Sequence, residues 1–357
     1  MDYINYVKQS PMMGQIGLGG GATSLGRYGS GGYATTGVNS GDRGLFGGGY
    51  NNYMSPTVTQ ISYININSTS NVSDFGDLNN TSNNGGGASD GSRGLFIGGY
   101  YQRTSQYVNI ASTGNATMGG NWNAQGNSGA RQGMGVWCDG GRVICMGDEG
   151  MYPTYISKRQ MDYMQMQSLG NSKDFGDLAE NHDRPTSTGD LTRGIVAGGQ
   201  APVGGAPPYR IARMDYVTIA TKGDGTDFGD MTGGGGNGYQ VQGGASNNTR
   251  GILAGGSCYP CSGNQSNEIQ YLTVQTTGNT SDFGDLTQAR SWLQGTDFNA
   301  TRAVFAGGND GSGYSAPCYG TVNTMDYITM ASTGNASDFG DLQSCLNGLL
   351  GQISGST

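Results

Sequence analysis

The chain has 357 residues, 69 of them Gly, with only 12% charged residues and a formal net charge of −8. Its 18 Lys and Arg are spread singly and leave no basic footprint for nucleic acid. No apolar run approaches the roughly 20 residues of a membrane span, and no sustained helical period appears, so strands and turns are predicted throughout.

The opening Met1-Asp2-Tyr3-Ile4-Asn5-Tyr6-Val7-Lys8 lacks a signal-peptide core, and synthesis in a cytoplasm is expected. Residues 1–27, with Gly17-Leu-Gly-Gly-Gly-Ala-Thr23, read as an arm suited to docking on a neighbour. Beyond it the chain repeats. Arg43, Arg93, Arg142, Arg193, Arg250 and Arg302 each precede an apolar run and a small pair, mostly Gly-Gly, at spacings of 50, 49, 51, 57 and 52. Asp-Phe-Gly-Asp followed by Leu or Met starts at Asp74, Asp174, Asp227, Asp282 and Asp338. A period near fifty means one supersecondary unit copied around a ring or along an array.

Six units follow in order: 28–79, 80–121, 122–179, 180–232, 233–287 and 288–342. The last shows the pattern well. Arg290-Ser-Trp-Leu-Gln-Gly-Thr-Asp297 reads as a first strand, Arg302-Ala-Val-Phe-Ala-Gly-Gly308 as a second, Met325-Asp-Tyr-Ile-Thr-Met330 as a third and Asp338-Phe-Gly-Asp-Leu342 as a short fourth. Four short antiparallel strands per copy predict an all-β propeller of six blades spanning 28–342. Residues 343–357 are a tail or closing strand. Because Met1-Asp2-Tyr3-Ile4 matches a third strand and Gln343–Ser354 a first, a seventh blade shared by the termini is the alternative. Alternating apolar residues in the third strand should place one set against the next blade and the other on the opposite face.

Asp-Phe-Gly occurs in protein kinases as a magnesium ligand, but the companion motifs of that site are missing and the box recurs five times. Phe75, Phe175, Phe228, Phe283 and Phe339 are therefore expected to anchor blade to blade, each contributing roughly 1.5–3 kcal/mol. The box carboxylates are expected to accept turn N–H bonds and to pair with the six repeat Arg. Asn-x-Ser/Thr at Asn67, Asn71, Asn115, Asn279 and Asn335 falls at one turn and reads as turn chemistry. The acidic turn at Asp224 lacks the twelve-residue spacing of a calcium loop, and no metal is expected. His182, the only histidine, reads as a solvated turn residue, and neither catalysis nor a cofactor is expected. Cys258-Tyr-Pro-Cys261 reads as unpaired loop cysteines; Cys138 and Cys145, flanking a hairpin turn, are left as thiols or a disulfide.

The Arg-apolar-Gly-Gly strand and the following Tyr strand resemble a degenerate kelch repeat. More narrowly, Met325-Asp-Tyr-Ile-Thr-Met-Ala-Ser-Thr-Gly-Asn-Ala-Ser-Asp-Phe-Gly-Asp-Leu342 is similar to repeats in virion proteins of marine tailed phages such as cyanophages. The second copy departs from it, with Ala116-Thr-Met-Gly-Gly120 in place of the box. The resemblance implies a non-enzymatic, multi-copy virion protein: a tail-fibre or appendage component contacting the host surface, or a capsid or tail decoration protein. A cellular kelch-type interaction module is the reading from another class. Expected partners are other virion proteins and a host-surface glycan or protein, with no nucleic acid and no membrane. The binding face is expected where second and third strands join, in segments rich in Tyr: Tyr50, Tyr53, Tyr100, Tyr101, Tyr152, Tyr155, Tyr209, Tyr259, Tyr314 and Tyr319.

Overall fold

The glycine pair decides where each second strand stops. Gly48, Gly98, Gly147, Gly198, Gly255 and Gly307 hold φ between 61° and 68°, a left-handed backbone that suits glycine. A Cβ on Gly48 would sit 2.2 Å from the Ser82 carbonyl oxygen, and one on Gly255 2.6 Å from that of Arg290. The chain bends there and lets the connector into the next unit pass against it.

In the computed structural model, residues 41–52, 57–100, 102–122, 132–148, 159–203, 206–233, 238–240, 242–258, 264–296, 301–313 and 318–356 are described. They form an all-β propeller of six four-stranded antiparallel sheets. The strands of the last unit are Gln294–Gly295, Arg302–Ala306, Thr324–Thr329 and Ser337–Asp341. A two-stranded hairpin, Gln200–Val203 with Ala206–Arg210, is added between the second and third strands of blade 4. Residues 1–27, expected as an arm, lie outside the described residues.

Blade 1 is not assembled from residues 28–79 alone. Its innermost strand is Leu350–Gly355, which pairs antiparallel with Arg43–Gly47. The C-terminal segment thus acts as a first strand but completes the first blade, and the described residues form six blades. The innermost strands touch in a ring, the last closing on Leu350–Gly355. Backbone meets backbone along the axis: a Cβ on Gly87 would lie 1.9 Å from the Gly351 carbonyl oxygen.

Six apolar clusters lie between neighbouring blades. One joins Leu45, Ile61, Phe75 and Ile353 of blade 1 to Phe96 and Val108 of blade 2, while Ile64 and Ile66 join the cluster shared with blade 6. This is the two-sided use of the third strand that its alternation predicts. The five box Phe are each 2% exposed and meet the Tyr of their third strand edge-on at 6.0–6.1 Å. Such pairs contribute about 0.5–1.5 kcal/mol beyond area burial.

Among the described residues the repeat Arg are seated on aromatic rings, where a carboxylate was expected. Each guanidinium lies 4.5–4.8 Å from the centroid of the same Tyr ring. Each also donates to a carbonyl at the end of the next blade's third strand, as Arg43 does to Ile110 and Arg302 to Asn67 across the closure. The physical reason is placement: the guanidinium covers a half-buried ring, where cation–π attraction and a carbonyl both suit it. Among box carboxylates, Asp227 has Arg213 at 3.9 Å instead.

The outer strands are strapped in a belt. The N–H of the last box residue donates to the side chain of the next blade's turn, Asp77 to Asn115, Asp177 to Asp224, Asp230 to Asn279, Asp285 to Asn335 and Asp341 to Asn71, at 2.9–3.1 Å. The aberrant second blade keeps the strap through Asn121 and Asn171. Its Phe position is Gly119, and Leu169 of blade 3 packs into the cluster there beside Tyr107. The box therefore holds the neighbour with its backbone rather than with its carboxylates, its carbonyls accepting as well, as Phe75 O does from Gly114 N and Asp77 O from Ala116 N, and the recurrent Asn caps another blade.

Cys318 and Cys345 form a disulfide between the second-to-third-strand connection of blade 6 and the connector into blade 1. Cys258 is also disulfide-bonded, which corrects its reading as an unpaired thiol; its neighbour Cys261 lies outside the described residues. Cys138 and Cys145 are both buried, set opposite Val143 and Val136 rather than each other.

Candidate functional site

Antiparallel succession puts the connector into each blade and the second-to-third-strand connection at the same end of the blade. Backbone hydrogen bonds join the two, from Gly49 N to Ser82 O, Tyr100 N to Asn83 O, Gly256 N to Arg290 O and Gly308 N to Leu346 O. One face of the propeller therefore carries all of these segments. The Tyr predicted for it are only partly described. Tyr50 is half-buried and donates its N–H to Asn347 O, Tyr100 is 45% exposed, and Tyr319 holds φ of 50° and accepts from Asn52 Nδ2. Tyr209 lies in the added hairpin opposite Ala201. Tyr53, Tyr101, Tyr152, Tyr155, Tyr259 and Tyr314 lie outside the described residues.

The centre of the same face is occupied by backbone. Gly348 N donates to Trp292 O, Asn84 N to Gly348 O, Gly133 N to Asn84 O and Arg184 N to Gly133 O, at 2.7–3.1 Å. These residues come from different blades and circle the axis just before the innermost strands. To run this way each takes φ of 55–59°. Glycine accepts that conformation freely; for Asn, Arg and Trp it costs about 1–2 kcal/mol.

Asn84, Arg184 and Trp292 line an axial cavity with Gln242 and Gln294. The Arg184 guanidinium lies over the Trp292 ring, 5.6 Å from its centroid. Arg184 is 27% exposed, with Asp183 Oδ1 4.0 Å from its Nε. Gln242 is 4% exposed, and neither its Oε1 nor its Nε2 has a hydrogen-bond partner; Asn84 Oδ1 also lacks one. No family model and no curated protein matches this chain.

Sequence reading missed this ring. Asn84, Arg184, Trp292 and Gly348 each stand six residues after the Leu that follows a box, so aligned copies mark one variable position. Nothing local marks it as axial, because the hydrogen bonds that create it cross between blades.

His182 is not a solvated turn residue. It is fully buried, with Nδ1 2.7 Å from Gly198 O and Nε2 3.4 Å from Asp215 Oδ2. Asp215 also accepts from Arg213 Nε at 2.8 Å and from Ala179 N at 2.9 Å. The connector thus docks on the third strand of its own blade, and His182 is part of that dock. Burial alone would raise the Asp215 carboxyl; hydrogen bonds and charge from His182 and Arg213 outweigh it and hold the carboxyl below its ordinary value. The sign follows: a depressed carboxyl stabilises the fold above the unfolded value of 3.8, and that stability is lost as pH falls through the lower folded value. Urea midpoints taken from roughly pH 6 to pH 2 should fall more steeply for the native chain than for Asp215→Asn. Parallel curves would show the carboxyl to be unlinked to folding.

Among the described residues no group of three or more His, Cys, Asp or Glu is placed to hold a metal ion. No described helix is long and apolar enough to cross a membrane.

Proposed function

We propose that this propeller is a non-enzymatic binding module whose recognition surface is the face carrying the axial ring and the Tyr-bearing connections. The supporting observation is a contrast in side chains. The belt repeats one hydrogen bond around the ring, whereas the axial position carries Asn84, Gly133, Arg184, Trp292 and Gly348 at nearly one φ. Uniform residues serve the ring; varied residues on a rigid frame serve recognition. Burial of the only histidine removes it from any substrate, in keeping with a module that performs no catalysis.

The resemblance to kelch-like virion proteins of marine tailed phages extends this reading to a tail-fibre or appendage component that contacts the host surface. A capsid or tail decoration protein held through residues 1–27 is the second reading. A disulfide between Cys318 and Cys345, with Cys258 also bonded, favours a particle exposed to an oxidising medium over a cytosolic adaptor. Particles carrying Tyr50→Ala, Tyr100→Ala and Tyr319→Ala together are expected to assemble normally and adsorb to host cells about tenfold more weakly, the loss of a small interface hot spot. Full adsorption by intact variant particles would remove this face from recognition.

A further inference from the structure

We propose that the axial cavity binds a terminal sugar of a glycan and prefers one that carries a carboxylate. This deepens the reading of the variable face as a recognition surface and rests on it.

The first requirement comes from Gln242. Gln242 lines the cavity, both of its amide atoms are buried without a partner, and Asn84 Oδ1 is in the same condition. Buried polar groups left this way are rare and costly, and they mark a place where something else hydrogen-bonds. The missing partner must both accept from Nε2 and donate to the two oxygens. Hydroxyl groups do both.

The second requirement is size. The cavity has room of about 40 Å³ for water-sized groups and is open to solvent on one side. The inner part takes a few waters or one or two hydroxyl groups, while a sugar ring would lie across the mouth.

The third comes from Arg184 and Trp292. Gly133 and Gly348 show that glycine fills this ring position at the same φ. The chain instead keeps two bulky residues in a conformation they disfavour, and such strain concentrates at binding sites. Trp292 offers apolar surface for the C–H groups of a sugar. Arg184 offers a planar fork for a carboxylate. Asp183 lies 4.0 Å from Arg184 Nε and shares that charge, so a neutral sugar is expected to bind as well, more weakly. A peptide carboxylate would engage Arg184 but bring no hydroxyl groups to Gln242 and Asn84.

Glucuronic acid and methyl glucoside are the ligands for the test, titrated into the full chain by calorimetry and by saturation-transfer NMR. Glucuronic acid is expected to bind and methyl glucoside to bind less tightly. Arg184→Gly should weaken glucuronic acid roughly ten- to a hundredfold, the range of a charge-assisted hydrogen bond, and erase the preference. Trp292→Gly should weaken both sugars. In each variant the melting temperature should hold or rise, because glycine accepts the left-handed backbone. Glycine variants that lose thermal stability while binding sugar unchanged would make both side chains structural and overturn the proposal. No transfer to either sugar, a cavity holding water only, or binding of a glutamate-bearing peptide alone would also overturn it. Sugar binding alongside unimpaired adsorption of the Tyr variants would fail the wider role of the face but not this site; lost adsorption without sugar binding would do the reverse.

Discussion

A chain ending at Gly348 is expected not to form the propeller. It would lack Leu350–Gly355, the innermost strand of blade 1. Leu349, Leu350 and Ile353 are almost wholly buried there, and three such side chains contribute together roughly 5–9 kcal/mol. The ladder to Arg43–Gly47 would go with them, along with the contacts to the innermost strands of blades 2 and 6. Total stability of a folded domain is about 5–15 kcal/mol, so the loss is of the order of the whole. The position matters as much as the area. Every other blade is built from one continuous stretch, while this one joins the two ends of the described chain, so its loss leaves two blade faces open. The truncated chain should appear in the insoluble fraction, with no cooperative thermal transition and with dye binding to exposed apolar surface. A soluble truncated chain melting within a few degrees of the intact one would show that the ring closes without its last strand.

The second large effect is expected at Arg290 and Asp326. Both side chains are fully buried, with Nη2 and Oδ2 3.0 Å apart. Arg290 stands in the connector where His182 stands in blade 4, and Asp326 in the third strand where Asp215 stands. Asp326 also accepts from Thr287 N and Thr287 Oγ1, and Arg290 Nη2 donates to Phe305 O, but Arg290 Nε and Nη1 lack partners. Burial pulls the guanidinium below its ordinary value, and Asp326 offsets only part of that. Arginine nonetheless stays charged in proteins, so Asp326→Leu leaves a cation buried with no counter-charge. That should destabilise by about 3–5 kcal/mol. Arg290→Met together with Asp326→Leu should recover most of the loss, since a buried pair with unfilled donors gains little over apolar side chains of similar size. Denaturant unfolding of both single variants and the double variant measures this. If the double variant were as unstable as the two losses added together, the pair would be independent rather than coupled.

The dock between connector and third strand explains why residues so different share one role. Gln106, Asp215, Gln270 and Asp326 occupy the same third-strand position, and each accepts an N–H from the connector that leads into its own blade. In blades 4 and 6, where the residue is Asp, a histidine or a cation in the connector faces it; in blades 2 and 5, where it is Gln, the connector has Ser82 or Tyr239 at that place. An uncharged acceptor needs no buried counter-charge, and the connector varies accordingly.

The fold class was legible because it rests on local chemistry. Alternating apolar residues make strands, Gly-Gly makes the bend at each second strand, and their recurrence near every fifty residues makes blades. The placing of Phe75 and its four counterparts followed from the same repetition. Residue identity alone misassigned the partners. Arg43 and its counterparts suggested carboxylates, yet a half-buried Tyr ring and a neighbour's carbonyl lie closer to hand. His182 beside Asp183 suggested a solvated turn, yet the connector that carries it is pressed between Gly198 and Asp215.

What required the closed ring was everything made between units far apart in the chain. Leu350–Gly355 becomes an inner strand only when it meets Arg43–Gly47. Asn84, Arg184 and Trp292 are forced into a left-handed backbone only because hydrogen bonds run from blade to blade around the axis. Strand and turn preferences act over a few residues and recur with the sequence, so they can be read from it. Axial closure is a geometric condition on six units at once, and the side chains it strains or leaves unpartnered appear only when the last blade meets the first.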